Sequence, residues 1–255
     1  MKTSISLVLL LLCGCAMEEF QSTAGLAPGR VAQQPVQVRP ITKVVKPARP
    51  WPVALVNSSE PELRAWTVPT QKPSLVFRRA LTPVQLFGKV SASVYAVMMS
   101  GHFRGSAIAV TSHEAITNCH VVFPTEAIEL ISATKTYRAE IAAADRATDR
   151  CYLRVQDGEL EPVRGLRDYA TLAVGEAVFT VGSPKGLVNT LGNGLVSGLR
   201  ILENVEYVQI TAPVSRGSSG GGLFDDRGNL IGVTTFTIQD SQNLNFAIAA
   251  SQFWR

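Results

Sequence analysis

Metal-ligating side chains are scarce in this chain of 255 residues, which has three His and four Cys. It contains neither an HExxH string nor paired CxxC motifs, so zinc has no ligand set, catalytic or structural. No metal or other cofactor is expected. A GxxxxGK[ST] loop is missing as well. Gly192-Asn193-Gly194 begins like a dinucleotide loop, but its sixth position is Ser197 and no helix follows, so nucleotide binding is unsupported. Long amphipathic helices between the apolar runs are also lacking, which excludes a βαβ alternation.

The formal net charge is +4. That charge is unevenly distributed: residues 21–79 hold nine basic and two acidic side chains, whereas residues 80–255 hold 14 and 16. The basicity belongs to an N-terminal segment, and the part able to fold is slightly acidic. A surface for gripping nucleic-acid phosphates is therefore not expected.

The first residues follow a secretory pattern. Lys2 precedes the apolar run Leu7–Leu12, which is too short for a permanent membrane span. Leu12-Cys13-Gly14-Cys15 resembles a bacterial lipobox, which makes residues 1–15 a signal peptide and Cys15 a lipidation site with membrane attachment. Ordinary cleavage after Ala16 or Ala24 is the alternative. Either route implies export to a bacterial periplasm or envelope, where disulfides persist. Residues 16–80 carry nine Pro from Pro28 to Pro73 and no sustained apolar period. They read as an extended, largely disordered linker, with a coil reach on the order of 45 Å.

From residue 81 to 255 the texture is that of a β domain. Thr82-Pro83 starts a short capped helix with Pro at its first position. Short runs such as Val94–Met99, Cys151–Val155, Ala177–Val181 and Leu230–Thr235 then alternate with Gly, Asn, Asp and Pro. Strands of about five residues punctuated this way point to a barrel or sandwich. No repeat of fixed period is visible.

Gly217-Ser218-Ser219-Gly220-Gly221 sets a serine among glycines, which let the backbone turn tightly and converge its N–H groups on an oxyanion. The string would suit the nucleophile elbow of an α/β-hydrolase, but that fold needs a His after the Ser, and none follows Ser219. The order available is His, Asp, Ser. Three blocks in that order carry a resemblance: Gly105-Ser106-Ala107-Ile108 leading to Thr117-Asn118-Cys119-His120-Val121-Val122; Asp145 to Val155; and Ala177 to Leu187 continuing through Ser219 to Phe246-Ala247-Ile248. Together they resemble the trypsin-like serine proteases of the bacterial HtrA/Deg type over about residues 82–250.

The resemblance implies two six-stranded antiparallel β-barrels of the chymotrypsin type, with the active site between them. It implies a serine endopeptidase acting on proteins or peptides. His120 would be the general base, Asp149 its orienting carboxylate with Asp145 in reserve, and Ser219 the nucleophile. The N–H groups of Gly217 and Ser219 would form the oxyanion hole. Pro213, Thr235, Phe236, Thr237, Asn245 and Ala247 would wall the specificity pocket. No carboxylate stands among these pocket residues, so small or aliphatic side chains are the expected preference. Arg150 and Cys151 stand where the family has Leu and Ala. In neighbouring strands of such a barrel, Cys119 and Cys151 come within disulfide reach; two buried free thiols are the alternative. The chain ends at Arg255, which leaves no room for the PDZ domain of full-length members. A catalytically silent peptide-binding relative, or an envelope adaptor, is the competing reading.

Overall fold

The computed structural model of the protein describes residues 72–75, 79–124, 127–183, 189–238 and 243–255. All of them belong to the compact unit Pro47–Arg255. The signal segment, Cys15, nearly all of the linker and the Pro184–Leu187 part of the third block lie outside the described residues.

Helix α1 spans Pro83–Val90. Thr82 is extended and its hydroxyl accepts from the Gln85 amide at 3.3 Å, while the Gln85 side chain accepts from the Thr82 amide at 3.1 Å. This reciprocal cap is worth about 0.5–2 kcal/mol. It orients Leu86 and Val90 into the core.

Twelve strands follow. The first barrel is built from β1 (Val94–Met99), β2 (His102–Ala109), β3 (Glu114–Thr117), β4 (Ile128–Ile131), β5 (Thr136–Asp145) and β6 (Arg150–Val155). The second uses β7 (Ala177–Gly182), β8 (Thr190–Leu202), β9 (Val205–Ile210), β10 (Gly222–Asp225), β11 (Leu230–Thr237) and β12 (Asn245–Ala249). Both barrels are closed, antiparallel and six-stranded, with the same neighbour order: β1-β2-β3-β6-β5-β4 is matched by β7-β8-β9-β12-β11-β10. The duplication is one of topology and leaves no periodic trace in the sequence.

The strands read as nearly unbroken apolar runs because many are covered on both faces. On β1, Tyr95, Val97 and Met99 fill the first barrel, while Val94 enters a second cluster shared with the other barrel. On β6, Cys151 and Leu153 face the barrel and Tyr152 faces the shared cluster. The second barrel repeats the split: Val178, Leu223 and Ala247 line its interior, and Phe179, Phe224 and Ile248 pack between the barrels. Each fully buried side chain of this size contributes about 1.5–3 kcal/mol. The inter-barrel layer therefore fixes the two halves firmly enough to hold a site between them.

The chain end is fastened to β6. Residues Ala250–Trp254 form a 3-10 turn with Phe253 fully buried. The Phe253 carbonyl accepts from the Tyr152 hydroxyl at 2.6 Å, and the Gln252 carbonyl accepts from the Arg150 guanidinium.

Candidate active site

β3 delivers Thr117 and Asn118 to the edge of the first barrel, where a single helical turn, α2 (Cys119–Val122), carries His120. β6 begins one residue after Asp149, so the β3–β6 pairing of Thr117 with Cys151 brings Asp149 alongside α2. Asp149 adopts a left-handed backbone, φ 61°, which Asp tolerates better than most residues. Its carboxylate then faces His120 with both oxygens. Oδ1 accepts from the His120 amide at 3.0 Å and Oδ2 from the ring Nδ1 at 2.8 Å. Because the carboxylate only accepts, Nδ1 carries the proton and Nε2 is the basic nitrogen. Both side chains are about one-fifth exposed, 20% and 19%.

Ser219 comes from the other barrel, on the turn before β10. Gly217 and Gly220 have φ of 93° and 82° there. A side chain at Gly220 would run into the Ser106 carbonyl and the Thr117 hydroxyl, so the close approach of the two barrels requires glycine. The Ser219 carbonyl accepts from the Ser106 amide at 2.8 Å. Its hydroxyl donates to the Thr235 carbonyl at 2.9 Å. Among the described residues, no acceptor takes the backbone N–H of Gly217 or of Ser219.

The residues expected to act together are thus gathered at one seam: His120 and Asp149 on the first barrel, Ser219 and Gly217 on the second. Asp145 does not join them. Its carboxylate accepts from the Thr148 hydroxyl at 2.5 Å and from the Arg150 guanidinium at 2.7 Å. Burial alone would raise this carboxyl, but the Thr148 and Arg150 hydrogen bonds outweigh it and hold the group below its ordinary value.

The expected pocket residues divide. Thr235 turns its hydroxyl onto Asp149 Oδ2 at 3.1 Å, and Ala247 is fully buried inside the second barrel. Asn245 is buried and donates to the Ala212 carbonyl at 2.8 Å. Phe236 stacks on Phe246 with centroids 4.9 Å apart and meets Tyr207 edge-on at 5.7 Å. The Pro213 carbonyl accepts a long bond from Thr180, 3.5 Å, and the Thr237 hydroxyl bonds Ile238.

Asn118 was quoted in the first block without a role. It is fully buried; its amide nitrogen donates to the Asp149 carbonyl at 3.2 Å and its oxygen accepts from Gly220 N at 2.8 Å. One side chain thereby ties the carboxylate's loop to the serine's loop. Tyr207 also lies in the field of the site. Burial raises its hydroxyl, and the Asp149 charge raises it further. No short motif could reveal it, because β9 joins the site through barrel closure alone.

The trypsin-like peptidase domain profile matches residues 105–233, half of the 255-residue chain, and takes in His120, Asp149 and Ser219. The chain belongs to the trypsin-like peptidase family. Similar curated proteins include the putative serine protease HhoA of Synechocystis, 31% identical over 54% of this chain and 37% of that one. The mitochondrial serine protease HTRA2 of Bos taurus is 34% identical over 54% and 31%. The periplasmic serine endoprotease DegP of Salmonella typhimurium is 30% identical over 52% and 30%. The chain spans only 30% to 37% of the length of these three relatives. Among solved structures, Deg5 is 31% identical with a TM-score of 0.57, covering 66% of this chain and 88% of that one. The HtrA-type protease AlgW, solved with a decapeptide, has a TM-score of 0.62 over 68% and 65% at 21% identity, a likeness of fold.

Two features flank Asp149. Cys119 and Cys151 are joined by a disulfide with Cα atoms 4.9 Å apart. Cys119 sits on α2 rather than on a strand, two residues beyond Thr117, the register partner of Cys151. Arg150 is buried, with bonds to Thr148 at 2.7 Å, to Asp145 and to Gln252.

Proposed function

We propose that the protein is a serine endopeptidase that cleaves proteins or peptides through His120, Asp149 and Ser219. One observation carries the reading: the Asp149 carboxylate holds His120 by both its amide and its ring, at the seam where the Gly217 and Ser219 amides have no acceptor among the described residues. Family membership and the serine-protease names of the relatives support it.

In the resting arrangement the Ser219 hydroxyl donates to Thr235, so a rotation toward His120 precedes attack. His120 Nε2 then takes the Oγ proton as Oγ bonds to the substrate carbonyl carbon. The carbonyl oxygen becomes an oxyanion facing the N–H groups of Gly217 and Ser219, and losing one such donor costs about 100- to 1000-fold. Asp149 stabilises the imidazolium formed. His120 returns the proton to the amine as the C–N bond breaks, leaving an ester on Ser219. Water, deprotonated by His120, attacks that ester, and the acid and the serine are released.

The apolar Leu7–Leu12 run and the Cys15 motif support an activity exported from the cytoplasm and tethered through lipidation at Cys15. Three relatives carry "periplasmic" in their names, in keeping with this location. Labelling with a fluorophosphonate, in wild type and Ser219→Ala, together with cleavage of an unfolded protein substrate, tests the chemistry. Wild type should label and cleave, and Ser219→Ala should do neither. Wild type that fails to label, or undiminished cleavage by Ser219→Ala, defeats the assignment.

A further inference from the structure

The N–H groups of Gly217 and Ser219 can stabilise an oxyanion only if their turn is held rigidly, and a turn that begins at a Gly with φ 93° has little rigidity of its own. Its anchors are therefore informative. The Ser218 amide donates to the Ser215 carbonyl at 2.9 Å, and the Ser218 carbonyl accepts from Gly221 N at 2.9 Å and from the Thr234 hydroxyl. These are anchors within the second barrel. The remaining two carbonyls of the turn are held from the first barrel, and both by one residue.

Ser106, on β2, is fully buried. Its amide donates to the Ser219 carbonyl at 2.8 Å, and its hydroxyl donates to the Gly217 carbonyl at 3.0 Å. The same hydroxyl oxygen accepts from the Ser183 amide, at the end of β7, at 2.9 Å. The Ser106 carbonyl in turn accepts from the Thr117 hydroxyl at 2.6 Å. The hydroxyl thus has one donor and one acceptor partner, which fixes the direction of its proton toward Gly217. Beside it, Gly105 leaves no room for a side chain against the Ser219 carbonyl and Val121, so its lack of one lets β2 lie close against the turn.

We infer that Ser106 is the positioning residue of the oxyanion hole, acting through the Gly217 carbonyl and the Ser219 carbonyl; the inference rests on the protease reading above. Fixing the Gly217 carbonyl holds the Gly217–Ser218 peptide plane and ψ at Gly217, and fixing the Ser219 carbonyl holds ψ at Ser219, so the chain is held on the carbonyl side of both residues whose N–H groups form the hole. Without the hydroxyl, the Gly217 carbonyl and the Ser183 amide lose their partner together, and the Gly217–Ser218 peptide keeps only the bond from its Ser218 N–H to the Ser215 carbonyl. The residues expected to bind substrate before reaction, Thr235 to Thr237 on β11 and Asn245 to Ala247 on β12, make none of these bonds. The loss should fall on the transition state and spare ground-state binding.

The test uses the full chain as wild type, Ser106→Ala and Ser106→Thr. Three quantities are read: kcat and KM on a peptide substrate, the inhibition constant of a peptide boronate that forms a tetrahedral adduct on Ser219, and the affinity of the matching product peptide. Ser106→Ala should lower kcat about 10- to 100-fold. The boronate should weaken in parallel, KM and product affinity should stay within about threefold, and Ser106→Thr should recover most of the loss. Unchanged kcat in Ser106→Ala overturns the inference, as does an equal loss of boronate and product affinity. If Ser106→Ala does not fold, the same affinities on Ser106→Cys, which keeps the volume and weakens the donor, decide between these outcomes. Wild type that neither cleaves nor binds the boronate defeats the protease reading itself, which is distinguishable from a failure confined to Ser106.

Discussion

Removing the Cys119–Cys151 bridge should destabilise the protein far more than it impairs the chemistry. The bridge closes a loop with a sequence separation of 32 residues. In the chain-entropy treatment, such a cross-link removes about 12 cal/mol/K from the unfolded chain, or about 4 kcal/mol at 25 °C. For a folded region of this size, 1 kcal/mol moves the melting temperature by about 2–4 °C, so the expected drop is about 8–16 °C. Both cysteines are almost fully buried in the first barrel's core, and alanines in their place leave small voids that act in the same direction. The bonds that orient His120 are independent of the sulfurs: the two from Asp149 and the one from Thr235 to Asp149 remain. Well below the melting temperature, kcat/KM should therefore fall by less than about tenfold.

The assay is thermal and guanidinium denaturation of wild type, wild type with reductant, and the Cys119→Ala/Cys151→Ala double variant. Cleavage rates are measured at a temperature where all three are folded. Reductant should shift wild type to the melting temperature of the double variant and leave the double variant unmoved. Reduction should also release two additional thiols from the unfolded protein. Coincident melting curves for all three, with no thiol gained on reduction, would refute the reasoning.

Three further outcomes follow from the hydrogen bonds at the seam. Thr235→Val removes a donor to the charged Asp149 carboxylate and should lower kcat/KM about 10- to 100-fold, read by steady-state kinetics. Asn118→Ala loses the link between Asp149 and Gly220. It should cost about 1–3 kcal/mol in denaturant unfolding, with Gly220 N still held by the Thr234 carbonyl at 2.8 Å. Asp145→Asn probes pH: the native carboxyl lies below its unfolded value, so its stabilisation is present above the ordinary carboxylate value and is lost as pH falls through the native one. Melting temperatures of wild type and Asp145→Asn should differ at pH 7 and converge in acid.

How far the sequence exposes the site depends on how local each contact is. The three blocks carry His120, Asp149 and Ser219 within short strings; the strand runs show a barrel or sandwich, and the two-barrel class comes with the family resemblance of the blocks. The Thr82 cap is visible because its partner Gln85 is three residues away. Asn118, Thr235 and Ser106 act over separations of 31 to 113 residues, and their partners are backbone groups or a carboxylate on other strands. A residue type reveals nothing about such a bond. Register does: Asn118 follows the last residue of β3, and Thr235 faces Asp149 across the seam because β11 closes the second barrel against the first. The directions of the expected pocket side chains were hidden for the same reason: alternate side chains on a strand face opposite sides, and no short string shows that Thr235 turns to Asp149 or that Ala247 turns into the second barrel.

Arg150 and Cys151 are adjacent departures from the Leu and Ala of the family pattern, and both act on the same problem. Asp149 must hold an unfavourable left-handed backbone at the mouth of β6. An apolar pair could steady it only by packing, one residue on each side of the strand. Here the strand entrance is fastened from three directions: by a bond through sulfur to the helical turn bearing His120, by an ion pair to Asp145 on β5, and by a hydrogen bond to the Gln252 carbonyl. The Arg150–Asp145 pair is largely buried, with the guanidinium side chain 9% exposed. Breaking one partner of such a pair strands a charge, which costs more than the pair contributes. Arg150→Leu alone should therefore be worse than Arg150→Leu with Asp145→Leu, even though the single change restores the family residue. The chain-terminal turn is part of that same fastening, so the last five residues are structurally coupled to Asp149 although they lie about 100 positions away in sequence.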